Sequence, residues 1–229
     1  MSGIPKTEQL FDLSHSIAGG YLRSCTYPFE ALCFIGEWIK ALGEHLPPER
    51  YEKIGDCIWI AKSASVAKTA LLMPPLIVGE RSEIRHGAYL RGDVIVGEDC
   101  VVGNSTEVKN SILFDRVQVP HFNYVGDSIL GYRAHFGAGV IASNVRADKG
   151  EVVVRTGDAA LCSGRRKLGV MAGDGCEIGC GAVLAPGAVI GKNSVVYPLS
   201  FVRGTLLENC IFKSDKSIIK RISRDIDSH

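Results

Sequence analysis

Aliphatic residues recur at every sixth position through the middle of this chain. The series is Ile60, Val66, Leu72, Val78, Ile84, Leu90, Val96, Val102 and Val108, followed by Phe114. A helix repeats about every 3.6 residues and a simple strand about every 2, so neither explains a period of six. A sustained period of six is typical of hexapeptide repeats, which stack into a parallel β-helix. The pattern therefore predicts an all-β solenoid.

The repeat extends, with interruptions, over residues 57–204. It slips after Pro120 and then resumes. The span 145–169 lacks the period and is rich in charged residues, so we predict a loop extruded from the solenoid. Insertions of this kind gather on one face, often the binding face. The alternative is a solvated hairpin without a function.

Residues 1–56 are expected to form a helical N-terminal cap. One helix is predicted to end at Gly19-Gly20. A second helix runs from Pro28 to Gly43, because Pro favours the first turn of a helix and Gly favours its end. Residues 49–53 suit a single helical turn. We expect the cap to pack over the first coil, where it would cover an open strand edge.

Residues 205–229 are expected to form a C-terminal helical tail. Its isoleucines recur at helical spacing on one side, and basic residues lie on the other. The apolar side holds Ile218, Ile219, Ile222 and Ile226. The basic side suits an anionic surface, but a solvated helix face explains it equally well.

The composition narrows the class of protein. The chain has 229 residues, 46% of them apolar, which suffices for one sizeable domain with appendages. Its net charge of +1 gives no electrostatic argument for nucleic acid. No basic start followed by an apolar run and no long apolar stretch occurs, so the sequence predicts a cytoplasmic protein without a signal peptide or membrane span.

Eight cysteines are scattered along the chain without a CxxC pair. This spacing argues against a zinc ribbon, and reduced thiols are the expectation for a cytoplasmic protein. Cys100, Cys176 and Cys180 fall among the hexads, so we expect them to be small buried residues.

Arg91 and Lys109 occupy corner positions that elsewhere hold small residues. If three hexads make one coil, these two residues stack on successive coils with their backbones about 4.8 Å apart. Two solvated cations at that spacing repel by roughly 1 kcal/mol, and a bound phosphate or carboxylate would remove that cost. The spacing therefore predicts an anion site. The alternative is that the two side chains fan apart into water, with Glu107 nearby.

The densest polar cluster spans residues 120–127. Tyr124 falls at a position that normally faces inward, where a tyrosine cannot fit, so we predict an outward bulge of the coil. Irregularity on a rigid scaffold is where function tends to collect. His121 can act as a general base near neutral pH, with Asp127 or a main-chain carbonyl orienting its ring. The alternative is a structural histidine.

Metal binding requires ligands at suitable spacing. Some hexapeptide proteins resemble the gamma-type carbonic anhydrases, which use three histidines, two of them five residues apart. The candidates here are His86, His121 and His135, and no pair within the coils has that spacing. The sequence therefore predicts no metal.

An ordered set of motifs between residues 88 and 144 points to a known family. The motifs are Leu90-Arg91, Gly103-Asn104, Glu107-Val108-Lys109-Asn110, Pro120-His121, Tyr124-Val125-Gly126-Asp127 and Phe136-Gly137-Ala138-Gly139 to Asn144. They resemble the acetyltransferase domain of the bifunctional N-acetylglucosamine-1-phosphate uridyltransferase/glucosamine-1-phosphate acetyltransferase family. The whole chain, including residues 165–169, is also similar to stand-alone nucleotidyltransferase-related hexapeptide proteins.

The resemblance implies a left-handed β-helix, a homotrimer with active sites between subunits, and acetyl-CoA as co-substrate. By matched position, Arg91 and Lys109 correspond to residues that hold the sugar phosphate, and Tyr124 to one that contacts the sugar. His121 corresponds to the base that takes a proton from the sugar amine. Asn144 corresponds to a residue supplied to the neighbouring subunit's site.

The chain departs from the family pattern at several positions. His135, expected to contact substrate, stands where the family has Asn, and Cys180, in the acyl-CoA segment, stands where it has Ser. The function predicted is an acetyl-CoA-dependent N-acyltransferase for an amino-sugar phosphate or nucleotide sugar. The alternative is a non-catalytic trimer that binds a sugar nucleotide or scaffolds a separate nucleotidyltransferase, which the altered acyl-CoA segment favours.

Overall fold

A computed structural model describes residues 3–222 of the chain. It consists of short strands preceded by a helical segment. The strands, in chain order, are β1 Tyr51–Lys53, β2 Ile58–Ala61, β3 Ser65–Val66, β4 Leu71–Met73, β5 Leu76–Val78, β6 Glu83–Ile84, β7 Tyr89–Arg91, β8 Val94–Val96, β9 Val101–Asn104, β10 Glu107–Lys109, β11 Ser111–Leu113, β12 Gln118–His121, β13 Tyr124–Gly126, β14 Ile129–Leu130, β15 His135–Phe136, β16 Ile141–Ala142, β17 Val153–Thr156, β18 Ala159–Cys162, β19 Met171–Ala172, β20 Glu177–Ile178, β21 Val183–Leu184, β22 Val189–Ile190, β23 Val195–Val196, β24 Phe201–Val202, β25 Thr205–Leu206, β26 Cys210–Phe212 and β27 Ile218–Lys220.

The strands form three long sheets that close into a β-helix. Each coil gives one strand to sheet A (β2, β5, β8, β11, β14, β19, β22, β25), one to sheet B (β3, β6, β9, β12, β15, β20, β23, β26) and one to sheet C (β4, β7, β10, β13, β16, β21, β24). Strands of successive coils pair in parallel. The inward aliphatic residues of the central coils, such as Leu90, Val96 and Val102, are completely buried. The predicted left-handed parallel β-helix is confirmed.

One coil is a residue short, and this shift changes which side chains face inward. Three residues separate Leu90 from Val94, but only two separate their partners Val108 and Ser111. The slip therefore precedes Phe114, whereas the sequence placed it after Pro120. Any shift of this kind moves every later side chain to the opposite face.

The orientation of two side chains follows from this one-residue shift. Phe114 points out of the coil and is buried under Phe11 of the N-terminal segment, with ring centroids 5.1 Å apart. Tyr124 pairs with the outward residue Glu107, so it lies on the outer surface of sheet C, and Val125 takes the buried place. The predicted inward position of Tyr124 and the bulge of its coil are wrong, because the shortened corner had already reset the register.

The N-terminal segment lies along the outer face of sheet A. Its helices are α1 Thr7–Leu10, α2 Gly19–Arg23 and α3 Ile35–Gly43, with 3-10 helices at Leu13–His15 and Pro28–Cys33. The face that it covers carries a column of buried apolar residues: Trp59, Ile77, Ile95, Ile112, Ile129, Met171 and Val189. Burying this column is what the segment contributes to stability.

The ends of the predicted helices agree in part with the structure. The second helical region begins at Pro28 and ends at Gly43, which packs against the ring of Trp59. The predicted end of the first helix at Gly19-Gly20 is wrong, because α2 begins at Gly19. The expected helical turn at 49–53 is also wrong. Residues 51–53 form β1, which pairs antiparallel with β2 and covers the open edge of sheet A.

The span 145–169 leaves the solenoid as expected. It contains an antiparallel hairpin of β17 and β18. Val152 and Val154 are buried, and Thr156 contacts Thr205 of β25 with 2.8 Å between their hydroxyl oxygens. The insertion thus packs against the coils, and its geometry is fixed by the scaffold.

The end of the described chain differs from the prediction. The coil continues past residue 204 through β25 and β26, and β27 turns back antiparallel on β26. The predicted C-terminal helix is therefore wrong over 205–222, because Ile211 and Phe212 extend the stack on β23. Residues 223–229 lie outside the described part. None of the described helices is long and apolar enough to cross a membrane.

Candidate functional site

The strands of sheet C end at a corner that leads into sheet A, here called the C–A corner (residues 91–93, 109–110, 126–127 and 143–144). Asp127 is its centre. The backbone of Asp127 and of Asn110 has positive φ, +50° and +45°, a region in which Asp and Asn are enriched among non-glycine residues. The tight turn therefore selects short polar side chains here and directs them back over the corner.

The carboxylate of Asp127 is almost completely buried, with 3% of its side chain exposed. It accepts hydrogen bonds from the amides of Asn110, at 2.7 Å, and Asn144. Two cations lie beside it: Lys109 Nζ at 3.4 Å and the Arg165 guanidinium at 3.7 Å. A buried carboxylate with this many partners holds them in one geometry.

Arg91 and Lys109 stack on successive coils, as the period predicted. Each has its own carboxylate: Arg91 donates to Glu107 at 2.6 Å, and Lys109 lies beside Asp127. The hydrogen bond to Glu107, followed by its charge, raises the pKa of Arg91. The stacked cations are therefore each compensated within the chain, and an anion bound between them would share them with Glu107 and Asp127.

Tyr124 lies between these groups and the outer face of sheet C. Its hydroxyl accepts a hydrogen bond from the Asn144 amide at 3.1 Å. Burial raises the pKa of the Tyr124 phenol, while the hydrogen bond from Asn144 opposes that rise. The side-chain amide nitrogen of Asn144 thus makes its hydrogen bonds within its own subunit. The side-chain oxygen of Asn144 makes no hydrogen bond within residues 3–222.

His121 lies at the opposite edge of sheet C, at the B–C corner where sheet B leads into sheet C (residues 104–105, 121–122, 138–139, 180–181 and 198–199). It is exposed, and its ring has no hydrogen-bond partner in the described part of the chain. Asp127 cannot orient this ring, because it belongs to the other corner. That part of the histidine hypothesis is wrong.

Cys180 lies on the same corner as His121. Gly139 N donates to His121 O, and Gly181 N donates to Ala138 O, so Cys180 lies two coils above His121, or about 10 Å. Cys180 is exposed, against expectation, because it occupies a corner; Cys100 and Cys176 are buried as predicted.

His135 lies on the outer face of sheet B, away from both corners. Its Nδ1 is 2.8 Å from a carboxylate oxygen of Glu177. That hydrogen bond, with the charge of Glu177 adding to it, raises the pKa of His135 above its ordinary value of 6.5, while burial opposes the rise. Among the described residues, no three His, Cys, Asp or Glu side chains gather as a metal site would require.

Two clefts adjoin the C–A corner. The first, here called the loop cleft, measures about 510 Å³ and is lined by Leu32, Cys33, Asp93, Lys109, Asn110, Asp127, Arg165, Arg166 and Lys167. The second lies higher on the same corner, also measures about 510 Å³, and is lined by Val145, Arg146, Ala147, Asp148, Val153, Arg155, Ala185, Pro186, Gly187, Phe201, Arg203 and Gly204. Both depend on the extruded span, which the sequence placed outside the solenoid but not against this corner.

The structure brings together Lys109, Tyr124 and Asn144, with Arg91 alongside. It leaves His121 and Cys180 at the other corner, and His135 on another sheet. Sequence reasoning missed Asn110 and Arg165. Asn110 directly follows Lys109, which matches a family position, so the sequence held a signal for Asn110. Arg165 lies 38 residues after Asp127, and no periodicity predicts that contact.

Residues 72–157 match the family described as the GMPPB C-terminal domain. The bifunctional protein GlmU of Methanococcus maripaludis is 36% identical over 135 residues, which are 58% of this chain and 33% of that protein. A bifunctional sugar-1-phosphate nucleotidylyltransferase/acetyltransferase of Sulfurisphaera tokodaii is 39% identical over 111 residues, 48% of this chain and 28% of that protein. The chain therefore spans about a third of the length of these relatives.

Solved structures with a similar chain path include a mutant of AntD, an N-acyltransferase from Bacillus cereus, in complex with dTDP and coenzyme A. It is 16% identical, covers 77% of this chain and 93% of its own, and superposes with a TM-score of 0.47. The matched residues 72–157 include the motif-bearing coils of this chain. The resemblance to the bifunctional uridyltransferase/acetyltransferase proteins, predicted from those motifs, is confirmed.

Proposed function

We propose that this protein is an acyl-CoA-dependent N-acyltransferase that transfers an acetyl group to an amino sugar carrying a phosphate. The observation that carries the proposal is the outer surface of sheet C. A cationic corner with Arg91 and Lys109 bounds it on one side, an unpartnered histidine on the other, and Tyr124 lies between them. One of the sequence relatives is an acetyltransferase by name.

The size of this surface suits one small acceptor. Lys109 pairs with Gly126, which lies five residues after His121. Five residues of extended chain span at most about 16 Å, which bounds the distance between the backbones of His121 and Gly126. The long side chains of Arg91 and Lys109 shorten that gap. A sugar phosphate held at the C–A corner can then lie along Tyr124 with its amine toward His121.

The chemistry assigned to His121 is general base catalysis. The neutral ring accepts a proton from the sugar amine as the nitrogen attacks the thioester carbonyl. The new C–N bond forms, the C–S bond breaks, and coenzyme A leaves as the thiolate, which then takes up a proton. Positioning the amine and thioester supplies much of the rate, and a base of this kind adds about 10²–10⁴-fold.

Acetyl-CoA is assigned to the B–C corner. An extended arm running parallel to the solenoid axis would pass Leu199, which is 83% exposed, and Cys180 before it reached His121. The apolar and arginine side chains that line the second cleft suit the nucleotide end of the same molecule. That cleft lies on the other corner, so a neighbouring copy has to supply it.

A trimer would supply that neighbour. The outward residues of sheet C form a mainly apolar column, unlike a typical solvated face: Leu71, Tyr89, Glu107, Tyr124, Ile141, Val183 and Phe201. A cyclic assembly pairs two different patches of each subunit. Burying the rest of this column against the next copy would leave the acceptor surface around Tyr124 between the B–C corner of one copy and the C–A corner of the next, with the free oxygen of Asn144 available there.

The test is acyl transfer by the His121→Ala variant. Release of free thiol from acetyl-CoA with glucosamine-1-phosphate or an amino-sugar nucleotide should fall about 10²–10⁴-fold, while the melting temperature and acceptor affinity change little. His45→Ala is the control, because it removes an exposed histidine of the N-terminal segment, outside the proposed site. If the wild-type protein releases no thiol with any acceptor tried, yet binds sugar nucleotides, the scaffold function is correct instead.

A further inference from the structure

The loop cleft has an uneven distribution of charge. Four cations line it, Lys109, Arg165, Arg166 and Lys167, against two carboxylates, Asp93 and Asp127. Asp127 is already shared between Lys109 and Arg165. Within residues 3–222, no carboxylate lies within 4 Å of Arg166 or Lys167, so these two cations are unpaired. A cleft lined in this way attracts an anion.

The backbone that carries the unpaired cations is held in place by the solenoid. Leu168, the residue after Lys167, is completely buried, and its backbone N–H donates to the Asn144 carbonyl. Lys167 itself bridges to Val145 in antiparallel geometry. Arg165 reaches back to the carboxylate of Asp127. The backbone of this segment is therefore a fixed wall of the cleft, and the exposed side chains of Arg166 and Lys167 extend from that wall.

The cleft continues the proposed acceptor site. Lys109 belongs to both: it stacks on Arg91 at the end of sheet C, and it lines the loop cleft. An anion that contacts Arg91 and Lys109 would leave Arg166 and Lys167 unused. A second anionic group, joined directly to the first and lying farther from Tyr124, would meet them.

We propose that the loop cleft binds the second phosphate of a diphosphate, so that the acceptor is a nucleoside-diphosphate amino sugar and not a sugar monophosphate. This inference rests on the proposed function for the placement of the sugar. The sugar would lie along Tyr124, the first phosphate at Arg91 and Lys109, and the second at Arg166 and Lys167. The nucleoside then lies toward Leu32 and Cys33. A cleft of about 510 Å³ is within the usual range for such ligands.

The test compares ligands that differ by one phosphate group. Binding of UDP-glucosamine, glucosamine-1-phosphate and inorganic pyrophosphate to the full-length protein is measured by calorimetry, without acetyl-CoA. Wild type should bind UDP-glucosamine at least about tenfold more tightly than glucosamine-1-phosphate, because each charge-assisted contact is worth about a factor of ten or more. Pyrophosphate should compete with UDP-glucosamine, which separates phosphate binding from nucleoside binding.

The variant Arg166→Gln/Lys167→Gln should lose that preference. Its affinity for UDP-glucosamine should fall about tenfold to a hundredfold, while its affinity for glucosamine-1-phosphate changes less than about twofold. Lys149→Gln is the matched control, because it removes an exposed cation of the same insertion that lines neither cleft. It should bind both ligands as wild type does.

Three results would overturn the inference: equal binding of the two sugar ligands by wild type, equal losses for both in the double variant, or an equal loss in Lys149→Gln. Acyl transfer, followed separately, distinguishes the two proposals. Acyl transfer by a wild-type protein that binds UDP-glucosamine and glucosamine-1-phosphate equally would leave the acyltransferase standing without the diphosphate site. A selective loss of UDP-glucosamine binding in a protein that releases no thiol would leave the diphosphate site without the acyltransferase.

Discussion

Replacing Asp127 with Asn tests whether its buried carboxylate holds the C–A corner together. The substitution keeps the shape and removes the charge. The carboxylate accepts hydrogen bonds from two amides, those of Asn110 and Asn144. An Asn side chain has one oxygen, so it can satisfy only one of them, and its own amide would face the other donor. Lys109 and Arg165 would also lose their shared counter-charge.

The magnitude follows from these contacts. A hydrogen bond to a charged group contributes about 1.5–3 kcal/mol, and breaking a fully buried ion pair costs about 3–5 kcal/mol. Here the side chains of Lys109 and Arg165 remain 26% and 17% exposed, so water offsets part of the second cost. We therefore expect Asp127→Asn to lower the free energy of unfolding by about 2–4 kcal/mol, measured by urea denaturation at a fixed protein concentration.

Asp93 provides the matched control. It lines the same cleft and also has positive φ, +53°, but its carboxylate makes no hydrogen bond within the described residues. Asp93→Asn makes the same chemical change and should alter stability by less than about 0.5 kcal/mol. The exchange Asp127→Asn/Asn144→Asp returns one carboxylate and one amide to the centre and should recover part of the loss. Similar losses in both single variants, or none in either, would refute the assignment of Asp127 as the centre of the corner.

The remaining predictions concern other parts of the molecule. The ion pair of His135 and Glu177 raises the pKa of the histidine. Its contribution to folding stability is below about 1 kcal/mol for side chains this exposed, is fully present below pH 6.5, and is lost as the pH rises through the raised pKa. Glu177→Gln should remove that pH dependence of the melting temperature. Acetyl-CoA should protect Cys180 but not the exposed Cys162 from alkylation, judged by peptide mass mapping, and equal protection would exclude the B–C corner. Phe201→Asp should dissociate a trimer of 24.7 kDa chains in sedimentation equilibrium, whereas a monomeric wild type would refute the assembly.

The sequence alone determined the solenoid. A six-residue period needs no long-range information, because each inward aliphatic is buried by its own coil and its two neighbours. The stacking of Arg91 on Lys109 follows from the same period, as does the departure of the span 145–169. The motifs at His121 and Tyr124 carried the family resemblance, because they are local in the chain.

Only the tertiary structure decided the contacts that depend on distant segments. A one-residue shortening between Lys109 and Ser111 turned Tyr124 outward, and nothing in the hexads located that shortening before the strands were paired. The tail after residue 204 had helical spacing, yet Ile211 and Phe212 extend the stack on β23, and Ile218 and Ile219 lie in β27, which pairs with β26. Arg165 reaches Asp127 because the insertion folds back on the corner. Such contacts depend on how separate parts of the chain pack, and hydrophobic periodicity does not encode that.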